Sequence, residues 1–235
     1  MASTRLPGKV LLEASGKSML EHLVRRLRKV ESIDQIILAT TKNPLDDILI
    51  EFAEDKEINY FRGSENDVMS RVVNAAKAFN VDIIVEITGD CPIIDPLIIE
   101  QTIRMFKSND VDYVSNAIVR SYPDGMDTQV FKLDTLIKSQ KMTTNALDQE
   151  HVTRHIRNNQ DIFTCVNLIA PPNLHYPDLG LTLDEHEDFV FIKTIIECFE
   201  AQENPLFNCQ DTIELIRNDP ALSTINSHIT RTIGN

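Results

Sequence analysis

Short apolar runs alternate with amphipathic stretches over the first two-thirds of the chain. The runs at residues 36–39 and 83–87 have the length and the β-branched content of buried strands. Between them, Val68, Val72 and Phe79 recur at the spacing that places side chains on one face of a helix. Strands that alternate with helices are typical of a mostly parallel sheet covered by helices, so the pattern predicts an α/β fold.

The same pattern predicts elements along the rest of the chain. Strands are predicted at residues 36–39, 58–61, 83–87, 111–115, 128–131, 163–169 and 181–183. Helices are predicted at residues 43–55, 64–79, 95–106, 133–142, 144–158, 188–200 and 211–217. We expect the run at 83–87 to be a central strand and the run at 181–183 to return to the main sheet.

The alternation changes after residue 115, where a loop is followed by a strand, two helices and another strand. The segment 117–170 is therefore expected to be an inserted edge subdomain within a single domain that spans residues 1–235. A doubly wound sheet normally begins with a buried strand that leads into its first phosphate-binding loop. Residues 1–9 already have the composition of such a loop, so the first strand is expected to be missing from the chain.

Composition and charge exclude several classes of protein. The 235 residues carry 23 Lys and Arg against 36 Asp and Glu, and a net charge of -13 repels the phosphate backbone of nucleic acids. The four cysteines form no C-x-x-C pair, which favours a reducing compartment over a disulfide scaffold. No signal-peptide pattern and no run of 18 apolar residues occurs, so we expect a cytoplasmic protein without a membrane partner.

The amino-terminal segment has the ingredients of a triphosphate-binding loop. Residues 1–30 hold seven basic and two acidic side chains, which gives a local charge of +5 in an acidic protein. Gly8 permits close backbone approach, and Arg5 and Lys9 supply positive charge to phosphate oxygens. The loop is not a Walker A motif. The alternative is a solvated basic terminus, which is the interpretation that we give to Arg25, Arg26, Arg28 and Lys29.

Two carboxylates follow predicted strands. Asp90 comes directly after the run at 83–87, and Asp184 ends the run at 181–183. Ligands of open α/β sheets gather at the carboxyl ends of the strands, where two such acids could hold one Mg²⁺ on a bound triphosphate. The alternative is that each acid caps the helix that follows it.

Three further motifs favour structural roles when they are considered alone. The segment 62–68 combines a glycine turn with a helix start, which is more typical of a capped helix than of a base-binding loop. His151 and His155 are one helical turn apart but lack the H-E-x-x-H pattern and an evident third zinc ligand. Cys91 has no adjacent histidine and is expected to be a packing residue rather than a nucleophile.

Six segments in order resemble one known group of enzymes. They are residues 2–9, 37–41, 62–68, 87–96, 150–153 and 181–188. The first is similar to the signature of the sugar-acid cytidylyltransferases, which include the acylneuraminate and 3-deoxy-manno-octulosonate enzymes. The full set resembles the spore-coat polysaccharide cytidylyltransferase family more closely. The resemblance implies a Rossmann-like nucleotidyltransferase fold with three α/β/α layers, often dimeric, which uses CTP and Mg²⁺.

The resemblance also implies roles for particular residues. Arg5, Lys9 and Asp90 would be catalytic, and Asp90 and Asp184 would hold the magnesium ion. The residues near the nucleotide would be Ser3, Arg5, Gly8, Lys9, Thr40, Arg62, Gly63, Ser64 and Asp67. The residues facing the sugar or a partner subunit, within segment 117–170, would be Tyr122, Asp127, Gln129, Glu150 and His151.

The chain departs from the family pattern in three respects. Gln129 stands where the pattern has a glutamate, and Gly180 stands where it has a basic residue. The strand and the arginine that precede the loop in the family would lie upstream of Met1.

The sequence thus predicts an Mg²⁺-dependent enzyme that transfers CMP from CTP to a sugar or sugar acid for surface polysaccharide synthesis and releases pyrophosphate. We expect a homodimer. One alternative is a nucleotidyltransferase that uses another nucleoside triphosphate. Another is a catalytically silent homologue that binds nucleotide or only dimerises, because the first strand is expected to be missing. A glycosyltransferase is disfavoured by the basic triphosphate loop.

Overall fold

The computed structural model describes residues 1, 3 and 5–230. Ala2 and Thr4, which belong to the predicted triphosphate loop, lie outside the described residues. The strands within the described part are β1 (Glu13–Ala14), β2 (Lys17–Ser18), β3 (Ile37–Thr41), β4 (Asn59–Gly63), β5 (Ile83–Glu86), β6 (Tyr113–Ser115), β7 (Gln129–Lys132) and β8 (Cys165–Asn167). The helices are α1 (Met19–Leu27), α2 (Asp47–Asp55), α3 (Val68–Ala78), α4 (Pro96–Lys107), α5 (Leu133–Met142), α6 (Ala146–Glu150), α7 (Arg154–Asn158), α8 (His186–Ala201) and α9 (Cys209–Asn218).

The described ladders mix parallel and antiparallel pairing. β3 and β4 form a parallel pair, and β1 and β2 form a short antiparallel one. A separate four-stranded sheet has the order β5-β7-β6-β8, in which β7 is antiparallel to both of its neighbours and β8 is parallel to β6. The expectation of a mostly parallel sheet is therefore wrong for these ladders, because β7 runs against the strands beside it.

Alternate residues of the four-stranded sheet face two different hydrophobic clusters, as the two-residue period of a strand requires. Val85, Val114 and Val130 pack against helices α1, α2 and α4 on one face. Tyr113 and Phe131 pack against α3, α5 and α7 on the other. These packings produce three layers, with helices on both sides of the sheet, and they confirm the α/β class.

A third hydrophobic cluster joins the last helices to the loops of the sheet. Helices α8 and α9 contribute Phe191, Ile195 and Ile213, and all three side chains are fully buried. Leu181 and Leu183, from the extended segment before α8, are buried in the same cluster. This packing holds that segment against the carboxyl edge of the sheet.

Part of the predicted edge subdomain lies inside the four-stranded sheet. The segment 117–170 contributes two strands to this sheet: β7 lies between β5 and β6, and β8 takes an edge position. In the described ladders, β5 pairs with β7 alone, so the expectation that it is a central strand is wrong as well. Val130 and Phe131 are fully buried, which explains why β7 takes the interior position.

Two other predicted elements differ from the structure. The helix expected at 144–158 is two short helices, because the chain turns at Val152, whose φ is +32° and whose side chain is buried against α3 and α5. Residues 181–183 form no strand in the sheet. They run extended between two loops, with a single bridge at Gly180 to Asp124.

One basic residue of the amino-terminal segment is structural rather than solvated. Arg26 of α1 is 2% exposed, donates to the backbone oxygen of Phe207 at 2.7 Å, and stacks 4.2 Å above the Phe207 ring. Burial lowers the pKa of Arg26 to about 10. The described residues include no helix long and apolar enough to cross a membrane.

Candidate active site

Lys9 joins three segments that are far apart in the sequence. Its Nζ donates to Asp90 Oδ2 at 3.2 Å and to Asp184 Oδ1 at 3.0 Å. Arg5 adds a second cation, with Nη2 3.0 Å from the same Asp184 oxygen. The structure therefore brings together the basic loop and the carboxylates of Asp90 and Asp184, which the sequence analysis expected to meet.

A turn at Gly8 directs Lys9 toward the carboxylates. Gly8 has a φ of +68°, which favours glycine, and it begins a one-turn helix at Lys9–Leu11. The Ser3 hydroxyl accepts from the Leu6 backbone N–H at 3.3 Å, and the Lys9 backbone N–H donates to the Leu6 oxygen at 3.3 Å. The Ser3 side chain thus shapes the loop by accepting from the Leu6 backbone.

Asp90 is held by the loop that follows β5. The Thr88 hydroxyl donates to Asp90 Oδ1 at 2.5 Å, which leaves Oδ2 directed at Lys9. Cys91 is 1% exposed, and burial together with the Asp90 charge raises the pKa of its thiol. A buried, protonated thiol is not a nucleophile, so Cys91 is a packing residue as expected.

Asp184 reaches the site on the extended segment before α8. The Leu181 N–H donates to the Asp124 oxygen at 2.7 Å, and the Leu183 N–H donates to the Asp90 oxygen at 2.8 Å. Leu181 and Leu183 are two residues apart, which is about 7 Å along an extended backbone. The segment therefore sets the distance between the Asp124 loop and the Asp90 loop. Asp184 follows directly and faces Lys9.

The electrostatics of this cluster favour a cation between the two carboxylates. Burial opposes the charge on Lys9, but Asp90 and Asp184 outweigh it, and the pKa of Lys9 is raised. The side chains of Lys9, Asp90 and Asp184 are 17%, 26% and 23% exposed, so solvent or a ligand can still reach them.

The donor set fits a magnesium ion that is completed by substrate. Mg²⁺ in proteins is commonly bound by one or two carboxylates, with water and substrate phosphates as its other ligands. Asp90 and Asp184 provide such a pair, and the Lys9 ammonium lies between them. Among the described residues there is no group of three or more His, Cys, Asp or Glu side chains that could hold a metal ion.

A second group of predicted residues lies at the ends of β3 and β4. The register pairs Thr40 with Arg62 and Thr41 with Gly63, so these residues meet at one edge. The Thr40 hydroxyl donates to Asp46 at 2.7 Å, and the Met1 nitrogen donates to the same carboxylate at 2.8 Å. The amino-terminal loop is therefore anchored beside Thr40.

Asp46 is the ionised centre of this second group. Burial opposes its charge, but donors from Met1, Thr41 and Thr40 hold the pKa of Asp46 well below its usual range. Asp46 carries no functional signal in the sequence, because its position three residues after Asn43 is typical of an ordinary helix start.

The remaining residues of the 62–68 segment make structural contacts. Arg62 donates to the backbone oxygens of Thr41 at 2.8 Å and Asn43 at 2.9 Å. Asp67 caps α3 by accepting from Ser70, while Ser64 accepts from the Asp67 N–H. Gly63 permits close approach of α3, since a Cβ there would lie 2.7 Å from Arg71 Cγ. The capped-helix alternative is confirmed, and a nucleotide contact for this loop stays a prediction.

The predicted sugar-side residues do not form one group. Tyr122 is 1% exposed and packs in the core, so its side chain does not line the site. Glu150 and His151 are exposed at the end of α6. The Asp127 carboxylate accepts hydrogen bonds from both terminal guanidinium nitrogens of Arg120, at 2.8 and 3.1 Å.

Gln129 belongs to a partly buried polar network on the opposite face of β7 from Val130. Its amide oxygen accepts from Tyr113 at 2.6 Å and from Thr153, and its amide nitrogen donates to Glu86 at 3.3 Å. Burial raises the pKa of Glu86 to about 7. The network connects the sheet to the segment that carries Glu150 and His151.

Sequence reasoning missed several residues that shape the site. Thr88 orients Asp90, and Arg120 pairs with Asp124 at 3.1 Å as well as with Asp127. The spacing of four residues between Arg120 and Asp124 indicates an ion pair only weakly, because it occurs in a loop rather than in a helix.

His155 has a packing role. It shares a hydrogen bond of 3.1 Å with Ser139 and stacks edge-on with Phe163, so it packs α7 against its neighbours.

Comparison with known proteins gives consistent matches over most of the chain. A family model described as cytidylyltransferase matches residues 1–214. The spore coat polysaccharide biosynthesis protein SpsF of Bacillus subtilis is 33% identical over 233 residues, which are 95% of this chain and 93% of that protein. A 3-deoxy-manno-octulosonate cytidylyltransferase of Trichlorobacter lovleyi is 30% identical over 110 residues, which are 46% of this chain and 42% of that protein.

A solved structure has nearly the same fold. It is a cytidylyltransferase from Leptospira borgpetersenii with a TM-score of 0.89 and 30% sequence identity, and the match covers 99% of this chain and 95% of that one. The likeness confirms the Rossmann-like nucleotidyltransferase fold.

Proposed function

Because the chain belongs to the cytidylyltransferase family and is a nucleotidyltransferase, we propose that it transfers CMP from CTP to a sugar or sugar acid and releases pyrophosphate. The product would supply the synthesis of a surface polysaccharide, as the name of the Bacillus subtilis relative suggests for that protein. The observation that carries the proposal is the contact of Lys9 with both Asp90 and Asp184.

The reaction is an in-line displacement at the α-phosphorus. A hydroxyl oxygen of the sugar forms a bond to the α-phosphorus, and the bond from that phosphorus to the oxygen bridging it to the β-phosphorus breaks. Pyrophosphate leaves, and the hydroxyl proton passes to water. The protein then contributes positioning and charge neutralisation rather than a covalent intermediate.

Asp90 and Asp184 would hold the magnesium ion that accompanies the triphosphate. The bound ion would supply positive charge to the triphosphate oxygens during displacement. Thr88 fixes one oxygen of Asp90, so the other is presented to the cation site. The two carboxylates come from different loops, and the hydrogen bond of Leu183 to Asp90 ties those loops together.

Lys9 and Arg5 would exchange partners when CTP arrives. In the structure both side chains contact Asp184, where they balance the carboxylate charge. Asp90 and Asp184 would release the Lys9 ammonium when they hold a divalent cation, since two cations cannot share the space. Lys9 and Arg5 would then be free to bind triphosphate oxygens, which is the role that the sequence predicts for the basic loop.

The nucleotide would extend from this centre toward the ends of β3 and β4. Thr40 and Arg62 are adjacent there, and the loop that carries Lys9 is anchored beside them through Met1 and Asp46. The sugar would approach from the other side, where Asp124 and Asp127 flank Arg120.

Ligand-dependent melting tests the proposal directly. We expect CTP with Mg²⁺ to raise the melting temperature more than ATP, GTP or UTP with Mg²⁺, because selective binding stabilises the native state. We expect pyrophosphate release when a sugar or sugar acid is added. The proposal fails if no nucleotide raises the melting temperature.

An Asp90→Asn variant localises the chemistry. We expect pyrophosphate release to fall about 100-fold or more, because a charged group that acts on the transition state is lost. The matched control is Asp110→Asn, an exposed carboxylate on the α4–β6 connection. Equal activity of the two variants would remove Asp90 from the site.

A further inference from the structure

One side chain near the end of the described chain fixes both ends of the segment that carries Asp184. Asn226 follows the short turn at Leu222–Ile225 and is 4% exposed. Its Nδ2 donates to the backbone oxygen of Gly180 at 3.1 Å and to Asp188 Oδ1 at 2.9 Å. Gly180 begins the extended segment, and Asp188 lies in the first turn of the helix that follows it.

Asp188 links Asn226 to the backbone of Asp184. Its other oxygen, Oδ2, accepts from the backbone N–H of Asp184 at 3.2 Å and from that of Glu185 at 3.0 Å. Asp188 is 0% exposed, and a buried carboxylate keeps its position only when donors surround it. The Asp184 backbone is therefore set by a buried carboxylate that Asn226 helps to fix.

The position of the Asp184 backbone decides where its carboxylate points. Asp184 Oδ1 lies 3.0 Å from both Lys9 Nζ and Arg5 Nη2, and the neighbouring Leu183 N–H holds the Asp90 loop. A shift of the segment 180–184 would change the separation of Asp184 from Asp90. Removing the Asn226 amide takes a donor from both ends of that segment at once.

We propose that Asn226 is a positioning residue that acts through Gly180 and Asp188 to hold the Asp184 carboxylate in place for a divalent cation. The inference rests on the proposed function, in which Asp90 and Asp184 bind the metal. Asn226 lies beyond residues 1–214, the part of the chain that the family model matches. Among the described residues, the hydrogen bonds of its side chain reach neither the loop that carries Lys9 nor the loop that carries Asp90, so its effect passes through the segment 180–184.

Two substitutions separate positioning from packing. Asn226→Ala removes the amide, whereas Asn226→Asp keeps the shape and replaces the donor by an acceptor that faces Asp188. Asn173→Ala is the matched control, because Asn173 is exposed and donates only to the side chain of Gln210 among the contacts of the structure, at 3.0 Å. Circular dichroism and the melting temperature without metal report whether each full-length variant folds.

The decisive readout is binding of Mn²⁺, measured by electron paramagnetic resonance in the presence of CTP. We expect the Mn²⁺ dissociation constant to rise about tenfold for Asn226→Ala and for Asn226→Asp, the size typical of residues that orient metal ligands. We expect the Mg²⁺ concentration for half-maximal pyrophosphate release to rise in parallel. Asn173→Ala should behave like the wild type in both measurements.

The possible outcomes are distinct. If either folded Asn226 variant melts at a lower temperature but binds Mn²⁺ as the wild type does, Asn226 only stabilises the fold and the inference is wrong. If wild-type protein binds CTP but no Mn²⁺, the metal site of the proposed function fails and the inference fails with it. If wild-type protein binds Mn²⁺ and only the Asn226 variants lose affinity for it, the metal site of the proposed function and the positioning role of Asn226 are both supported.

Discussion

At the residue scale, Lys9 determines the state of the site before any ligand is bound. Its ammonium lies within 3.2 Å of Asp90 and 3.0 Å of Asp184, and it balances two carboxylates that would otherwise repel each other. The same ammonium is well placed to move to a triphosphate. The protein therefore holds a cation at the proposed metal position, and binding of metal and nucleotide should be coupled.

Replacing Lys9 by methionine should separate these two effects. In Lys9→Met we expect Mn²⁺ alone to bind more tightly than to the wild type, because the competing ammonium is gone. We expect CTP to bind about 10- to 150-fold more weakly, since a hydrogen bond to a charged group contributes about 1.5–3 kcal/mol. Calorimetry with Mn²⁺ alone and with CTP alone measures both constants.

Lys77→Met is the control for this substitution, because Lys77 is an exposed lysine on α3. It should leave both dissociation constants unchanged. Weaker binding of Mn²⁺ alone to Lys9→Met would contradict the exchange of partners that we propose.

At the scale of elements, the extended segment before α8 connects three loops. It contacts the Asp124 loop through Leu181 and the Asp90 loop through Leu183. Asp184, at its end, contacts Lys9 of the amino-terminal loop. The contact with the Asp124 loop is tight, because Gly125 has a φ of +99° and a Cβ there would lie 2.6 Å from the Leu181 oxygen. The packing of this segment, rather than a strand pairing, brings the carboxylates together.

A Gly125→Ala substitution should therefore damage both stability and activity. The left-handed backbone alone costs an alanine about 1–2 kcal/mol, and the overlap with Leu181 adds about 1–3 kcal/mol. Displacement of the segment would also move Asp184, so we expect pyrophosphate release to fall in protein that remains folded. Urea denaturation and a pyrophosphate assay measure the two effects.

Gly16→Ala is a close control for that experiment. Gly16 also has a positive φ, +71°, but a Cβ there meets nothing within 4 Å. It should lose only the stability that backbone strain costs and keep full activity. If the two variants lose equal stability, the overlap with Leu181 is unimportant.

At the scale of the whole molecule, segment 117–170 is both part of the sheet and a source of exposed apolar surface. Its side chains include five of the twelve large hydrophobics exposed among the described residues. These five are Val119, Met142, Leu147, Ile162 and Ile169. Asn167 of the edge strand β8, two residues before Ile169, exchanges hydrogen bonds with the backbone of Val119. This concentration of apolar side chains supports the proposal that the segment mediates a homodimer.

A Val119→Asp/Ile169→Asp double substitution tests the dimer. We expect sedimentation analysis to find a dimer for the wild type and a monomer for the variant, because a buried carboxylate without a partner is strongly unfavourable. Leu206→Asp, at an exposed leucine between α8 and α9, should remain a dimer. A monomeric wild type would show that these side chains have another role.

Much of the fold and of the candidate site followed from the sequence because local patterns carry the information. Apolar runs and helix starts predicted α4 and α5 almost to the residue, since hydrophobic period and capping are properties of neighbouring positions. Residue type and place in the motifs also singled out Lys9, Asp90 and Asp184 as candidate site residues. The sequence by itself thus determined the α/β class, whereas triphosphate and metal binding by these residues stays a prediction.

Tertiary structure alone decided how these parts combine. The interior position of β7, the burial of Arg26 and the turn at Val152 depend on contacts between segments far apart in the chain. So do the pairing of Lys9 with both carboxylates and the hydrogen bonds that link Asn226 through Asp188 to the Asp184 backbone. A local pattern states which face of an element is apolar but not which distant surface covers it, and the packing of the whole molecule settles that choice.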